Sequence, residues 1–234
     1  FLLSCGAQLP PAQTNPTLPE GQAYLQPGLV NALLPPEQPA EPAARTIVVI
    51  SDLHFGLGGT PEGQWDHYED FRWGPELNEF LTKIDQEGSG ATDLLINGDA
   101  FELWQSRTGD CRSNDPDKGC NEEEVLDRVR RIIYAHRPEL LRIGQFATSG
   151  QNRVVFIPGN HDAGILYPSV ASEIAAATGA PIDRLSVSAT GYWLSRDRRV
   201  YADHGHQIGI DPNKYSTWPA PFRQYGDRMC LTRP

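Results

Sequence analysis

Side chains that can bind metal ions follow four short apolar runs of the 234-residue chain. They are aspartate, histidine and asparagine, which offer carboxylate, imidazole and amide donors but no thiolate. That donor mixture suits divalent Mn, Fe, Zn or Ni better than a structural zinc site built on cysteine. The four clusters are Asp52-Leu53-His54 after TIVVIS, Asn97-Gly98-Asp99 after DLLI, Gly159-Asn160-His161-Asp162 after VVFIP, and Asp203-His204-Gly205-His206 after RVYA.

Each of these apolar runs predicts a buried β-strand, because it is short and most are rich in Val and Ile. Open α/β sheets place their ligands at the carboxyl ends of parallel strands, so we expect the four clusters to meet. Asp52 and His54 are two residues apart and would face the same way on a continuing strand. The pattern therefore predicts a metal site at the strand ends.

Helical patterns separate the predicted strands. Pro75 can open a helix with apolar residues at helical spacing, and Asn121 before three glutamates is typical of a helix start. A further helix follows Pro138, and a short one is expected from about Pro168 to Thr178. A β-hairpin around the polar run 195–199 would bring His204 into the site. Alternating strands and helices indicate a layered α/β protein.

The four clusters resemble the calcineurin-like metallophosphoesterases, whose pattern runs D-x-H, G-D, G-N-H-D/E, H and then G-H-x-H. The resemblance covers roughly residues 45 to 215 and implies a four-layer α/β/β/α sandwich with a dinuclear metal site at the strand C-terminal ends. The stretch Phe101-Glu102-Leu103-Trp104 and the pair His204-Gly205 are most similar to the branch of UDP-2,3-diacylglucosamine pyrophosphohydrolases. The matching residues are Asp52, His54, Gly98, Asp99, Gly159, Asn160, His161, Asp162 and His204.

The resemblance also implies a ligand set. Asp52 and His54 would hold the first metal, Asp99 would bridge the two ions, and Asn160 and His204 would hold the second. The implied cofactors are two divalent ions, Mn, Fe, Zn or similar, which would activate a hydroxide for attack on phosphorus. The expected activity is hydrolysis of phosphomonoester, phosphodiester or pyrophosphate bonds.

His161 is the predicted general acid, because it directly follows the ligand Asn160 and could reach the leaving group without binding metal. Asp162 is predicted to hold the His161 imidazole by a hydrogen bond. The alternative is that His161 itself binds metal. His206 and Glu102 are expected to contact the metal ligands or to face the substrate, and His206 could instead replace an absent histidine ligand.

No G-H-x-H follows His204 in this sequence, so the domain, predicted to span residues 45–234, is expected to lack its C-terminal part. An alternative function is therefore a catalytically impaired metal-binding protein of the same fold, and a structural zinc module is a third. A phosphate-binding G-x-x-x-x-G-K-S/T motif is absent, which argues against an NTPase. The net charge of −10 argues against non-specific nucleic-acid binding.

The start of the chain, Phe1-Leu2-Leu3-Ser4-Cys5-Gly6, resembles the end of a bacterial lipoprotein signal. Cys5 would be the lipidated residue, and the proline-rich stretch up to residue 44 is typical of a tether. These features predict a periplasm-facing lipoprotein or secreted protein of the cell envelope, attached to the membrane only through its lipid. Its partner would be a phosphorylated small molecule or a lipid-linked substrate. The alternative is that this leucine-rich start is arbitrary and is not part of a lipoprotein signal.

Two cysteines flank the polar loop RSNDPDKG and predict a disulfide between Cys111 and Cys120, as expected in an exported protein. A metal loop is the alternative for this pair. His67 and His136 have no metal-binding residues around them in sequence, so we expect ordinary surface or helix positions for both.

Overall fold

The computed structural model describes residues 45–60, 62–104, 111, 115, 117–208, 214–215 and 217–233. The predicted lipid-attachment residue Cys5 and the proline-rich tether lie outside these residues. The described α-helices are α1 (Gly74–Glu87), α2 (Glu122–Ala135), α3 (Arg137–Thr148) and α4 (Pro168–Thr178). The described strands are β1 (Thr46–Ile50), β2 (Thr92–Asn97), β3 (Lys118–Asn121), β4 (Arg153–Ile157), β5 (Leu185–Val187), β6 (Tyr192–Leu194), β7 (Tyr201–Asp203), β8 (Phe222–Tyr225) and β9 (Arg228–Thr232).

A parallel sheet with the strand order β1-β2-β4-β5 forms the centre of the protein. The register pairs Ile50 of β1 with Ile96 of β2, and Asn97 of β2 with Ile157 of β4. The predicted strands TIVVI, DLLI and VVFI are thus adjacent and parallel, which confirms that part of the sequence prediction. Their carboxyl ends meet at one edge, so the three polar clusters that follow them start close together.

Four helices cover one face of this sheet and bury its Leu, Ile, Val and Phe side chains in a single core. Helix α2 begins as predicted: the Asn121 side chain accepts from the Glu124 N–H at 3.0 Å, and the Glu124 side chain accepts from the Asn121 N–H at 2.8 Å. Helix α4 ends at Gly179, which adopts a left-handed φ of 70°. Within the described part of the chain, no helix is long and apolar enough to cross a membrane.

The β6–β7 hairpin covers the opposite face of the parallel sheet. Leu95, Val155 and Ile157 alternate away from the helices and contact Trp193 and Ala202 of the hairpin. The hairpin was expected from the sequence, and β7 leads directly into His204. The described residues form three layers, helices, parallel sheet and hairpin, and a second helical layer is not among them. The predicted mixed α/β class is confirmed.

A small antiparallel sheet, ordered β3-β9-β8, was not predicted from the sequence. It lies beside helix α2, because β3 leads straight into that helix. Cys120 of β3 forms a disulfide with Cys111, with their Cα atoms 4.6 Å apart. The Cys111 and Cys120 sulfurs are therefore bonded to each other rather than present as two metal-binding thiolates.

The loop between β1 and α1 is fixed by Glu69, whose side chain is fully buried. Its carboxylate accepts hydrogen bonds from the Gly58 N–H at 2.6 Å and the Phe71 N–H at 2.9 Å, and it lies 2.9 Å from His136 Nε2. The expectation of an ordinary surface or helix position for His136 is wrong. Its ring is buried because Phe55 packs against it and Glu69 binds its polar edge.

Candidate metal centre

Backbone hydrogen bonds join the loops that follow β1 and β2. The Asp52 N–H donates to the Gly98 carbonyl at 3.1 Å, and the His54 N–H donates to the Asp99 carbonyl at 2.9 Å. Asp52, His54 and Asp99 all have left-handed backbones, with φ of 56°, 48° and 54°. Asp and His are enriched in this region among residues other than glycine, and such conformations cluster at functional sites. These turns direct the side chains of both loops towards each other.

The Asp99 carboxylate lies at the centre of the cluster and is almost fully buried. Its Oδ2 atom is 3.1 Å from His204 Nε2 and 3.9 Å from His54 Nε2. Asp52 Oδ1 is 3.8 Å from the same His54 nitrogen, and the Asp52 side chain is 54% exposed. One carboxylate is therefore placed between two imidazoles, and a second carboxylate opens the cluster to solvent.

Both imidazoles are held through their Nδ1 atoms. His54 Nδ1 lies 3.2 Å from Glu102 Oε2, and His204 Nδ1 lies 2.9 Å from the Asn97 carbonyl oxygen. With its N–H at Nδ1, His54 donates to Glu102 and His204 donates to the Asn97 carbonyl. The Nε2 atom of each ring then keeps its lone pair. Metal-binding histidines in proteins are oriented in this way by their other ring nitrogen. The two Nε2 atoms beside Asp99 are thus prepared to bind metal.

Two glycines are required by the close packing of the cluster. Gly98 has a φ of 87°, and a Cβ atom there would collide with the His204 imidazole. A Cβ atom at Gly159 would collide with the Asp99 carboxylate. The G-D and G-N-H patterns seen in the sequence therefore have a steric cause.

His161 contacts the cluster through Glu102. Its Nδ1 atom lies 2.8 Å from the same Glu102 oxygen that binds His54, and the His54 and His161 rings meet edge to face. The ring of Trp104 packs against His161 with the centroids 4.9 Å apart. Because Nδ1 faces Glu102, Nε2 is the atom of His161 that can meet a substrate.

The predicted hydrogen bond between Asp162 and the His161 imidazole is wrong, since Glu102 occupies that place. The Asp162 carboxylate is fully buried and accepts from the N–H groups of Gly159 at 2.6 Å and Ala100 at 2.8 Å. Buried N–H groups need acceptors, and this side chain supplies them to two loops at once. Asp162 thus holds the loops rather than the imidazole.

Asn160 and His206 border the cluster. Asn160 is buried in the loop between Gly159 and His161. Its backbone carbonyl oxygen accepts from the Tyr215 hydroxyl at 3.3 Å. The His161 N–H donates to Asp99 Oδ1 at 2.8 Å, so this loop runs directly along Asp99. The His206 ring lies 5.5 Å from the His204 ring, centroid to centroid. Both residues are therefore near the candidate metal donors.

The charges of the cluster shift several pKa values. Burial favours the neutral forms of Asp99 and His204, but their mutual hydrogen bond and charge outweigh it. The pKa of Asp99 is consequently lowered, and that of His204 is raised to about 9. The hydrogen bond to Glu102 raises the pKa of His54. Burial and the nearby His204 lower the pKa of His206 to about 4. The proton on His204 balances the Asp99 carboxylate, and a divalent cation would displace it.

Burial also acts on Asp162, whose carboxyl is enclosed on all sides. Together with the nearby Asp99 carboxylate, burial raises the pKa of Asp162 to about 7. The backbone donors of Gly159 and Ala100 oppose that shift, because they favour the ionised form.

The donor set fits a divalent transition metal. The donor atoms of Asp52, His54 and Asp99 lie within 4.8 Å of one another, and so do those of His54, Glu102 and His161. Carboxylate and imidazole donors suit Mn, Fe and Zn.

The family that the sequence resembles is expected to bring these residue types together in the same way. The model of that family, the calcineurin-like phosphoesterases, matches residues 45–230 of this chain. The chain belongs to the calcineurin-like phosphoesterase family. Membership confirms the family-level resemblance and the α/β fold class, and the family is metal-dependent. The pyrophosphohydrolase branch stays a prediction. Comparison with curated proteins and with solved structures found no match.

The contacts of two positioning residues, Asn97 and Glu102, are not predicted by the sequence interpretation. Asn97 donates from Nδ2 to the Asp203 carbonyl at 2.7 Å and accepts from His204 through its own carbonyl. Glu102 was expected near the ligands, but its contact with two imidazoles was not foreseen. The only signal in the sequence is that both residues lie within three positions of Asp99.

Proposed function

We propose that this protein is a metal-dependent phosphoesterase that hydrolyses phosphomonoester, phosphodiester or pyrophosphate bonds at the Asp99 cluster. One observation carries the proposal: the Nε2 atoms of His54 and His204 converge on one buried carboxylate oxygen of Asp99. His161 lies at the edge of that cluster, where an acid for the leaving group is needed.

In this proposal Asp52 and His54 would hold one ion, Asn160 and His204 would hold a second, and Asp99 would be shared by the two. Two divalent ions there would polarise the phosphoryl oxygens and lower the pKa of a bound water. Asp99 is buried, which fixes its carboxylate, whereas the exposed Asp52 borders solvent and leaves room for a phosphate group.

His161 supplies the proton for the leaving group. Glu102 accepts from its Nδ1–H and fixes the ring, so Nε2–H points away from Glu102 and donates to the departing oxygen. Trp104 packs on the ring and restricts its rotation. A positioned acid of this kind contributes about 10²–10⁴-fold to turnover.

The proposal extends to substrate and location. Leu2-Leu3-Ser4-Cys5 supports lipid attachment at Cys5 and thus a place at the bacterial cell envelope. There the enzyme would meet phosphorylated small molecules or lipid-linked substrates.

The test is to strip the protein of metal, reload it with Mn²⁺, Fe²⁺ or Zn²⁺, and measure bound metal together with hydrolysis. The substrates are 4-nitrophenyl phosphate, bis(4-nitrophenyl) phosphate and a pyrophosphate diester. The proposal expects two ions per chain and turnover of at least one substrate. Two ions without turnover would instead show an impaired metal-binding protein, and one tight zinc ion without turnover would show a structural zinc module.

A further inference from the structure

A cavity of about 150 Å³ lies beside His161 and is partly open to solvent, where the exposed Arg233 lines it. The loop after β2 contributes Trp104 to its wall, and the end of β9 contributes Thr232. None of the predicted metal donors is among the described residues that line it. The cavity therefore lies next to the proposed general acid but outside the metal cluster, where the leaving group of a substrate is expected.

The charge of the cavity wall is positive. Arg233 carries a permanent charge, and no aspartate or glutamate of the described ranges lines the cavity, although the whole chain has a net charge of −10. The Glu102 carboxylate, which contacts His161, is buried at 1% exposure and is not part of the wall. A cation thus faces the cavity without a carboxylate to neutralise it there.

Arg233 is held in place by the segment that forms β3. Its backbone N–H donates to the Asp117 carbonyl at 2.9 Å, and its Nε atom donates to the Lys118 carbonyl at 3.2 Å. The disulfide between Cys120 and Cys111 ties the same segment down. Within the part of the chain that the structure describes, the two Nη atoms have no hydrogen-bond partner, so their N–H groups remain available to a ligand.

The two hydroxyl groups in the wall are already committed. The Tyr215 hydroxyl donates to the Asn160 carbonyl at 3.3 Å, and the Thr232 hydroxyl donates to a backbone carbonyl at 3.4 Å. The side-chain donors left for an occupant are the guanidinium of Arg233 and Nε2 of His161, whose Nδ1 faces Glu102. Donors of this kind bind a carboxylate or a phosphate more strongly than a neutral acceptor.

Resting on the proposed function, we infer that this cavity binds an oxyanion, a carboxylate or a second phosphate, that the leaving group carries and that pairs with Arg233. The substrates are then phosphate esters whose alcohol is itself anionic. Hydrolysis bonds a water oxygen to phosphorus and breaks the bond between phosphorus and the bridging oxygen. The bridging oxygen takes the proton from His161 Nε2 and departs as the hydroxyl of the anionic alcohol.

The inference is tested with phosphonates, whose carbon–phosphorus bond prevents hydrolysis. Calorimetry of the metal-loaded protein compares 3-carboxypropylphosphonate and propane-1,3-bisphosphonate with the neutral isostere 3-carbamoylpropylphosphonate and the cationic 3-aminopropylphosphonate, each with its next longer homologue. We expect one of the two anionic ligands to bind about 3- to 10-fold more tightly than the carboxamide, because solvent screens a pair in a partly open cavity. The ammonium ligand should bind most weakly, and added salt should reduce the preference. The tighter of the two anionic ligands identifies the oxyanion.

The variant Arg233→Gln should bind the anionic ligands and the carboxamide equally, because it removes the guanidinium. The matched control is Arg228→Gln, since Arg228 is also an exposed arginine, begins the same strand β9, and does not line the cavity. The control removes one positive charge as well and should keep the wild-type order of the ligands.

Equal affinity for the carboxamide and both anionic ligands in the wild type would overturn the anion site. A preference that Arg233→Gln retains would place the anion elsewhere and would overturn it too, as would equal losses in Arg233→Gln and Arg228→Gln. Calorimetry needs no turnover, so the two proposals fail separately: absence of 4-nitrophenyl phosphate hydrolysis with metal bound would overturn the phosphoesterase, whichever ligands bind.

Discussion

The substitution Glu102→Gln isolates the buried carboxylate that contacts two imidazoles. Glu102 Oε2 lies 2.8 Å from His161 Nδ1 and 3.2 Å from His54 Nδ1, while Oε1 accepts from the Trp104 N–H at 3.2 Å. A glutamine has nearly the same shape but one donor group. If its oxygen stays with the imidazoles, its NH₂ faces the Trp104 N–H. If it is reversed, its NH₂ faces both Nδ1–H groups.

Either orientation therefore places donor against donor and removes a hydrogen bond to a charged group, worth about 1.5–3 kcal/mol. His54 then loses the contact that fixes its N–H at Nδ1 and keeps the Nε2 lone pair available for a metal ion. We expect metal affinity to fall by about 10- to 100-fold, the usual effect of losing such a partner. The assay is a competition titration of the metal-free protein with a fluorescent chelator, together with kcat for 4-nitrophenyl phosphate.

The matched control is Glu69→Gln. Glu69 is equally buried and likewise joins an imidazole, His136, to backbone N–H groups, but none of its contacts is with a candidate metal donor. It should lower stability and leave metal affinity near that of the wild type. Wild-type affinity and turnover in Glu102→Gln, or equal losses in both variants, would refute the role of Glu102.

Further predictions concern catalysis, pH and stability. His161→Ala should lower turnover of an alkyl phosphate by about 10²–10⁴-fold, lower that of 4-nitrophenyl phosphate less, and keep the metal content; equal losses for both esters would exclude the general acid. Because the pKa of metal-free His204 is raised to about 9 and its proton must leave on binding, metal affinity should rise with pH until about pH 9; titrations giving one affinity from pH 6 to 9 would contradict this. Glu69→Ala should lower the free energy of unfolding by about 3–5 kcal/mol, measured in urea, since it leaves His136 and two N–H groups without their acceptor; an unchanged denaturation midpoint would refute it.

The positions of strands β1, β2 and β4, of the β6–β7 hairpin and of the helices followed from local signals. The apolar runs before Asp52 and Asp99 gave adjacent strands, and Asn121 gave the start of α2 because its cap is formed by residues three positions apart. The convergence of Asp52, His54 and Asp99 also followed, since parallel strands end at a common edge, and the predicted β6–β7 hairpin brings His204 to the same cluster.

The contacts of Glu102 and Asp162 could not be predicted in the same way. They depend on the left-handed turn at Asp99, which directs the following residues under the loop after β4. The small β3-β9-β8 sheet could not be predicted either. Strand β3 pairs with β9 through Lys118 and Thr232, which are distant in sequence, and neither strand has a distinctive apolar pattern.

The most direct test of the metal centre compares Asp99→Asn with Asp93→Asn. Asp93 is a buried aspartate near the start of the strand that ends before Asp99, and it forms an ion pair with Arg45 at 2.6 Å. The measurement is bound metal per chain and turnover of 4-nitrophenyl phosphate, on folded preparations of both variants reloaded side by side. We expect Asp99→Asn to lose metal and turnover together, because the neutral amide cannot bridge two cations, and Asp93→Asn to keep both. Wild-type metal content with near-normal turnover in Asp99→Asn would contradict the account.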